Sequence, residues 1–102
     1  MFLENTLVHT VHFWLKDKAD QQTLIDGLYE LKSITHIRDI HIGVPAVTND
    51  AMSDSSYDAS LLISFNNETE LEAYNTDPIH AAFVELVKPI CSKVVVQNAI
   101  NA

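Results

Sequence analysis

The stretch AYNTDPIHAAF, residues 73–83, sets Tyr74 and His80 on either side of an Asp-Pro step, and His9 lies in an alternating segment near the N-terminus. A neutral imidazole can take up a proton near pH 7, and a phenol can donate a hydrogen bond to an oxygen that is gaining charge. Asp77 and Pro78 are a cap and a first helical residue, which puts His80 in the first turn of a helix. There the positive end of the helix dipole lowers its basicity and favours the neutral ring that a general base needs. Each group also has a plainer reading. His9 can be a hydrogen-bonded core residue, His80 a capping or solvent-facing one, and Tyr74 simply core.

The other reactive side chains fit less well. His12 is three residues from His9 on a strand, so the two rings point to opposite faces and cannot share a metal. His36 and His41 lack partners at ligand spacing, and Asp50, Asp54 and Asp58 sit in a polar loop without the glycine and terminal glutamate of a calcium loop. No metal site is expected. Cys91 is the single cysteine, so no intrachain disulfide can form, and it reads as a small apolar residue of a reducing cytoplasm. The sequence contains no phosphate-binding loop, dinucleotide fingerprint or nucleophile elbow.

A chain of 102 residues that is 47% hydrophobic fits one domain, residues 1–102, with a single core. Fourteen acidic against six basic residues give a charge of −8, which repels a phosphate backbone and anionic membrane surfaces. Nucleic acid and membrane are therefore not expected as partners. The first residues, MFLENTLVHTVHFWLK, carry Glu4 and interrupted apolar runs, unlike a secretory leader.

These residues need a scaffold, and the hydrophobic periods supply one. From Leu7 to Leu15 the chain alternates, with Leu7, His9, Val11, Phe13 and Leu15 on one face and Val8, Thr10, His12 and Trp14 on the other. Asp20 is the expected cap of a helix carrying Leu24, Ile25, Leu28, Leu31 and Ile34, which Gly27 weakens by about 1 kcal/mol against alanine. HIRDIHIGV predicts a second strand, residues 46–56 a long loop, and YDASLLISF a third strand. Asn67 and Glu70 have capping-box spacing, so a short helix precedes the Asp77–Pro78 one, and SKVVVQNAI closes as a fourth strand. The order β-α-β-β-α-β predicts an α+β, ferredoxin-like fold: a four-stranded antiparallel sheet with its helices on one face. Its other face, with Val8, His12, Trp14 and Leu62, then needs a cover, which a second copy of the chain would provide in a homodimer closed as an α+β barrel.

In order, VHTVHFWLK, DIHIGV, YDASLLISF, ELEAYNTDPIHAAF and KVVVQN resemble the stress-responsive dimeric α+β barrel (Dabb) family. Tyr74, Pro78, His80 and Phe83 form the most specific part of the resemblance. It implies a homodimer whose two sheets form the barrel. Members include stress proteins without known activity and olivetolic acid cyclase, which closes a linear polyketide by an intramolecular aldol step. The cyclase's acid–base histidine would fall on His80, its tyrosine on Tyr74 and its other pocket histidine on His9. Where the family commonly has aspartate in the last strand, this chain has Asn98. An amide can fix the tautomer of His80 but cannot stabilise an imidazolium as a carboxylate does.

Two functions follow as expectations. In one, the protein binds a small, apolar, carbonyl-bearing ligand between sheet and helices, with Val11, Phe13, Ile40, Leu61 and Phe83 as walls and Asn98 beside them. His80, Tyr74 and His9 then move a proton next to the carbonyl, without a cofactor. In the other, the protein is a non-enzymatic stress or accessory protein whose histidines serve packing.

Overall fold

The computed structural model describes residues 3–102; Met1 and Phe2, the first two residues of the stretch compared with a leader, lie outside the described residues. Strand β1 (Leu7–Leu15) is central, and its burial alternates along its whole length as the sequence alternates. The sheet runs β2 (Asp39–Gly43), β3 (Ala59–Phe65), β1, β4 (Cys91–Ile100), with antiparallel pairing throughout. The odd-numbered residues of β1 point with Ala59, Leu61, Ile63 and Phe65 toward the helices, where they join Leu24, Leu28, Leu31, Tyr74, Phe83 and Val87 in one core.

Helix α1 (Gln21–Glu30) starts directly after Asp20, the cap that its sequence signals imply. A short 3-10 turn, Lys18–Asp20, precedes it with a cap of its own, Asp17, whose carboxylate accepts the Ala19 N–H at 2.9 Å. Asp20 holds the cap position of α1 but makes no side-chain capping bond, because it also closes that turn. Gly27 is buried where α1 crosses the helix that carries Phe83 and Leu86, and a methyl group there would overlap Leu86 Cδ2. Close helix packing is thus the return for its weak helix propensity.

Two helices follow β3. Helix α2 (Glu68–Asn75) opens on Asn67, which accepts the Glu70 N–H at 3.0 Å, while the Glu70 carboxylate accepts the Asn66 N–H at 2.7 Å. Helix α3 (Pro78–Ile90) opens on Asp77, whose carboxylate accepts the Ile79 N–H at 2.8 Å, with Pro78 in the first turn. The two caps force a joint between Tyr74 and His80, and that joint sets both side chains facing the sheet. Helix α3 then runs straight into β4 through Cys91, whose N–H still bonds the Val87 carbonyl.

One buried carboxylate ties the β1 end to the long loop. Asp58 is 6% exposed and accepts the Leu15 N–H at 2.7 Å and the Lys18 ammonium at 2.5 Å. Lys18 is open to solvent, so the pair itself is worth little, but the bond that Asp58 accepts from the strand N–H is buried. Asp58→Ala should therefore cost about 1–3 kcal/mol, the penalty of an unsatisfied buried donor, as urea unfolding would read. A variant as stable as the parent would mean that the loop repacks.

Candidate functional site

The α2–α3 joint faces the β1–β4 half of the sheet, and between them lies a cavity of about 510 Å³. His9 is the third residue of β1, and the β1–β4 register sets Asn98 directly opposite it. Its Nδ1 lies 2.6 Å from the Asn98 side-chain oxygen, so Nδ1–H donates and Nε2 keeps its lone pair. Tyr74, at the end of α2, stands edge-on to His9 with ring centres 5.6 Å apart. His80 lies on the other side of Tyr74, at 4.7 Å between ring centres. The phenol is flanked by two imidazoles.

Tyr74 is 1% exposed, yet its hydroxyl has no hydrogen-bond partner among the described residues. No fully buried side-chain nitrogen or oxygen is left without a partner there, so the hydroxyl is not sealed in but opens on the cavity that Tyr74 lines. Burial raises its pKa well above the ordinary phenol value and keeps it a neutral donor. Burial likewise lowers the pKa of His9, against the opposing hydrogen bond to Asn98. It also lowers that of His80, helped by the charge of His9 and opposed by the Asn75 backbone and Asp77. Both rings are neutral at pH 7.

That depression has a consequence for stability. A histidine whose folded pKa lies below its unfolded value of about 6.5 binds fewer protons in the native state, so stability is full above that value and falls as pH drops through the folded pKa. Thermal unfolding midpoints should be flat from pH 8 to about 6.5 and decline below it. His9→Gln, which keeps a polar group but cannot titrate, should flatten the decline, whereas an unchanged decline would assign it to other groups.

The expected wall residues Val11, Phe13, Leu61 and Phe83 line the cavity. Ile40 does not: β2 is two strands away from β1, and Ile40 packs on the outer part of the core instead. Asn98 lines the cavity but engages His9, whereas the sequence reading gives it to His80. The register decides this, since a residue on β4 meets its opposite on β1 before it can reach α3. Val84, Val87, Val94, Val96 and Cys91 also line the cavity and were not singled out from the sequence. The signal was weak, because a run such as Lys93–Gln97 is apolar on both faces and does not say which side a helix leaves open.

Val8, His12, Trp14 and Leu62 lie on the opposite face of the sheet, as the alternation implies. Tyr57 stacks edge-on to His12 at 4.7 Å, the Trp14 indole N–H donates to Ser56 Oγ at 3.1 Å, and the Lys93 ammonium lies 4.6 Å above the Trp14 ring. Leu62 is 37% exposed in the single chain. No group of three or more His, Cys, Asp or Glu side chains among the described residues is placed to hold a metal, and no helix among them is long and apolar enough to cross a membrane.

The sheet order, the helices on one face and the cavity under the α2–α3 joint define a ferredoxin-like α+β protein. The chain belongs to the stress-responsive A/B barrel domain family, whose model matches residues 7–100. Among curated proteins none matches the sequence. Solved structures share the fold at low identity. A dimeric ferredoxin-like protein of unknown function from Thermobifida fusca is 21% identical, with a TM-score of 0.76 over 99% of this chain and 95% of that one. A Dabb family protein from Mesorhizobium loti is 20% identical, with a TM-score of 0.75 over 95% and 97%. A hydroxynitrile lyase from Passiflora edulis is 17% identical, with a TM-score of 0.76 over 95% and 94%.

Proposed function

We propose that this chain is a homodimeric protein that binds a small apolar carbonyl compound between α3 and β4 of each protomer and moves a proton at the carbon next to that carbonyl. The observation that carries the reading is the Tyr74 hydroxyl, unpartnered on a side chain that is otherwise buried and set between two neutral imidazoles. Opening on the cavity, the hydroxyl can exchange solvent for a ligand oxygen, a hydrogen bond worth about 0.5–1.5 kcal/mol net.

The chemistry follows from the protonation states. The carbonyl oxygen accepts from the Tyr74 hydroxyl. His80 takes the α-proton, and the C–H electron pair moves toward the carbonyl to give an enolate, which Tyr74 stabilises as charge grows on its oxygen. His80 is half-buried and can pass its proton on to solvent. His9 is more deeply placed and held by Asn98, so its Nε2 offers a fixed acceptor to a hydroxyl or acidic C–H of the ligand. No cofactor enters these steps. A hydroxynitrile is the adduct of a carbonyl and cyanide, so the name of the Passiflora edulis neighbour fits proton transfer at a carbonyl compound on this fold.

The dimer would form through the open sheet face, around Val8, His12, Trp14 and Leu62. Related dimeric proteins of the same fold support that reading.

Native mass spectrometry of the purified protein with added medium-chain methyl ketones tests the ligand class. The parent should retain one ketone per protomer. Tyr74→Phe, which keeps the ring and loses the donor, should weaken retention by about tenfold, equal to a hydrogen bond of about 1.4 kcal/mol. A parent that retains no ketone at any concentration sinks the reading.

A further inference from the structure

Beyond a carbonyl, the cavity has a second chemical end. Its two long walls run side by side, with β1 and β4 paired in register from His9 opposite Asn98, through Val11 opposite Val96, to Phe13 opposite Val94; a register shift after Trp14 then sets Leu15 opposite Cys91. Along the helix wall, His80 lies at the phenol end and Lys88 is eight residues further on, where α3 turns into β4. At about 1.5 Å rise per residue, that separation is roughly 12 Å. Between the ends the lining is apolar: Phe13, Phe83, Val84, Val87, Val94 and Val96. Val94 and Val96 are 43% and 52% exposed, because no helix of this chain covers that side of β4.

The charge is distributed unevenly. Fourteen of the chain's residues are acidic and six are basic, yet no aspartate or glutamate lines the cavity. Two of the basic residues, Lys88 and Lys93, line its far end. Lys16 donates its backbone N–H to the Ile90 carbonyl, and its charge bears on Cys91 against the larger, opposite effect of Asp58. The Lys93 ammonium is seated over Trp14, on the other face of the sheet, and Lys18 is paired with Asp58, which leaves Lys88 as the cation of the lining. The acidic groups nearby are engaged or distant from the lining. Asp58 is held by the Leu15 N–H and Lys18, Asp54 by its own turn at Ser56, and Glu85 meets Lys88 across the exposed helix surface at 3.4 Å. That last contact is long and open to water, so an anion in the cavity can replace it.

We infer that the ligand is an oxo-carboxylic acid lying lengthwise in the cavity, with its ketone at Tyr74 and His80, its chain along the valine wall and its carboxylate at Lys88. The inference rests on the carbonyl reading above and adds the acid end and the length. At about 1.2 Å per bond of an extended chain, 12 Å is spanned by roughly ten bonds.

Calorimetric titration with the ten-carbon straight-chain acid that carries a ketone at its penultimate carbon, with its methyl ester, and with the five-carbon homologue, levulinate, separates these parts. The parent should bind the acid about fivefold more tightly than the ester, and levulinate much more weakly than either. Lys88→Gln should remove the difference between acid and ester, and raised salt should do the same to the parent. Tyr74→Phe should weaken both by a similar factor. Equal affinity for acid and ester in the parent would overturn the acid end while leaving the carbonyl site standing. Levulinate binding as tightly as the long acid would overturn the lengthwise pose. No binding of either long compound would bring down the inference together with the reading beneath it.

Discussion

Leu62→Glu should yield a folded monomer. Leu62 sits near the middle of the open sheet face, paired with Thr10 on β1 and His41 on β2. At 37% exposed it contributes little to the chain's own core, so the single protomer should keep its circular dichroism spectrum. In a dimer closed through this face, a carboxylate there must be stripped of water without a partner. Uncompensated burial of one charge costs about 3–5 kcal/mol, and every 1.4 kcal/mol is about tenfold in affinity. The dissociation constant should rise by about 100-fold or more, and sedimentation at micromolar concentration should show one chain where the parent shows two. Trp14 would be a poorer test, because it also holds Ser56 and Lys93 within its own chain. A variant that still sediments as a dimer would move the interface to a sheet edge, with β4 the first to examine.

How far these features could be read from residues alone differed by the distance of the interaction involved. The period of β1 placed His9 and Trp14 on opposite faces, and the caps at Asn67 and Asp77 located both helices, because these signals act within four residues. The caps do more than start helices. By breaking the chain between Tyr74 and His80 they bring a phenol and an imidazole, six residues apart in sequence, to 4.7 Å. A continuous helix would turn them apart, since six residues make about one and two-thirds turns. The hydrogen bond from His9 to Asn98 was not legible, because 89 residues separate the pair and only the register joins them. The same register explains the misplacement of Ile40: it shares the helix-side face but stands beyond β3, with the cavity on the other side of β1. Asp20 was legible as the cap position of α1, since the helix begins at the next residue. The 3-10 turn before it, capped by Asp17, was not, because so short a turn leaves no hydrophobic period.

His80→Ala should abolish nearly all proton transfer while leaving the fold intact. His80 is half-buried in the first turn of α3, where Asp77 supplies the cap, so its loss removes no structural hydrogen bond to another side chain. A positioned general base contributes about 10²- to 10⁴-fold to rate, and the variant should lose that factor. The reaction can be followed without knowing the physiological substrate, as exchange of the α-protons of a bound ketone for deuterium by proton NMR. The parent rate should be level from pH 8 down past the ordinary histidine value of about 6.5, then fall, because burial lowers the pKa of His80 and the base is lost only once the ring is protonated. His9→Gln serves as the comparison. In the proposed reaction His9, held to Asn98, would orient the ligand, so its replacement should lower the rate while keeping the acid limb in place. Should His80→Ala exchange protons at the parent rate while His9→Gln does not, the base would be His9, with its Nε2 left free by the bond to Asn98. If both variants match the parent, the cavity binds its ligand without transforming it.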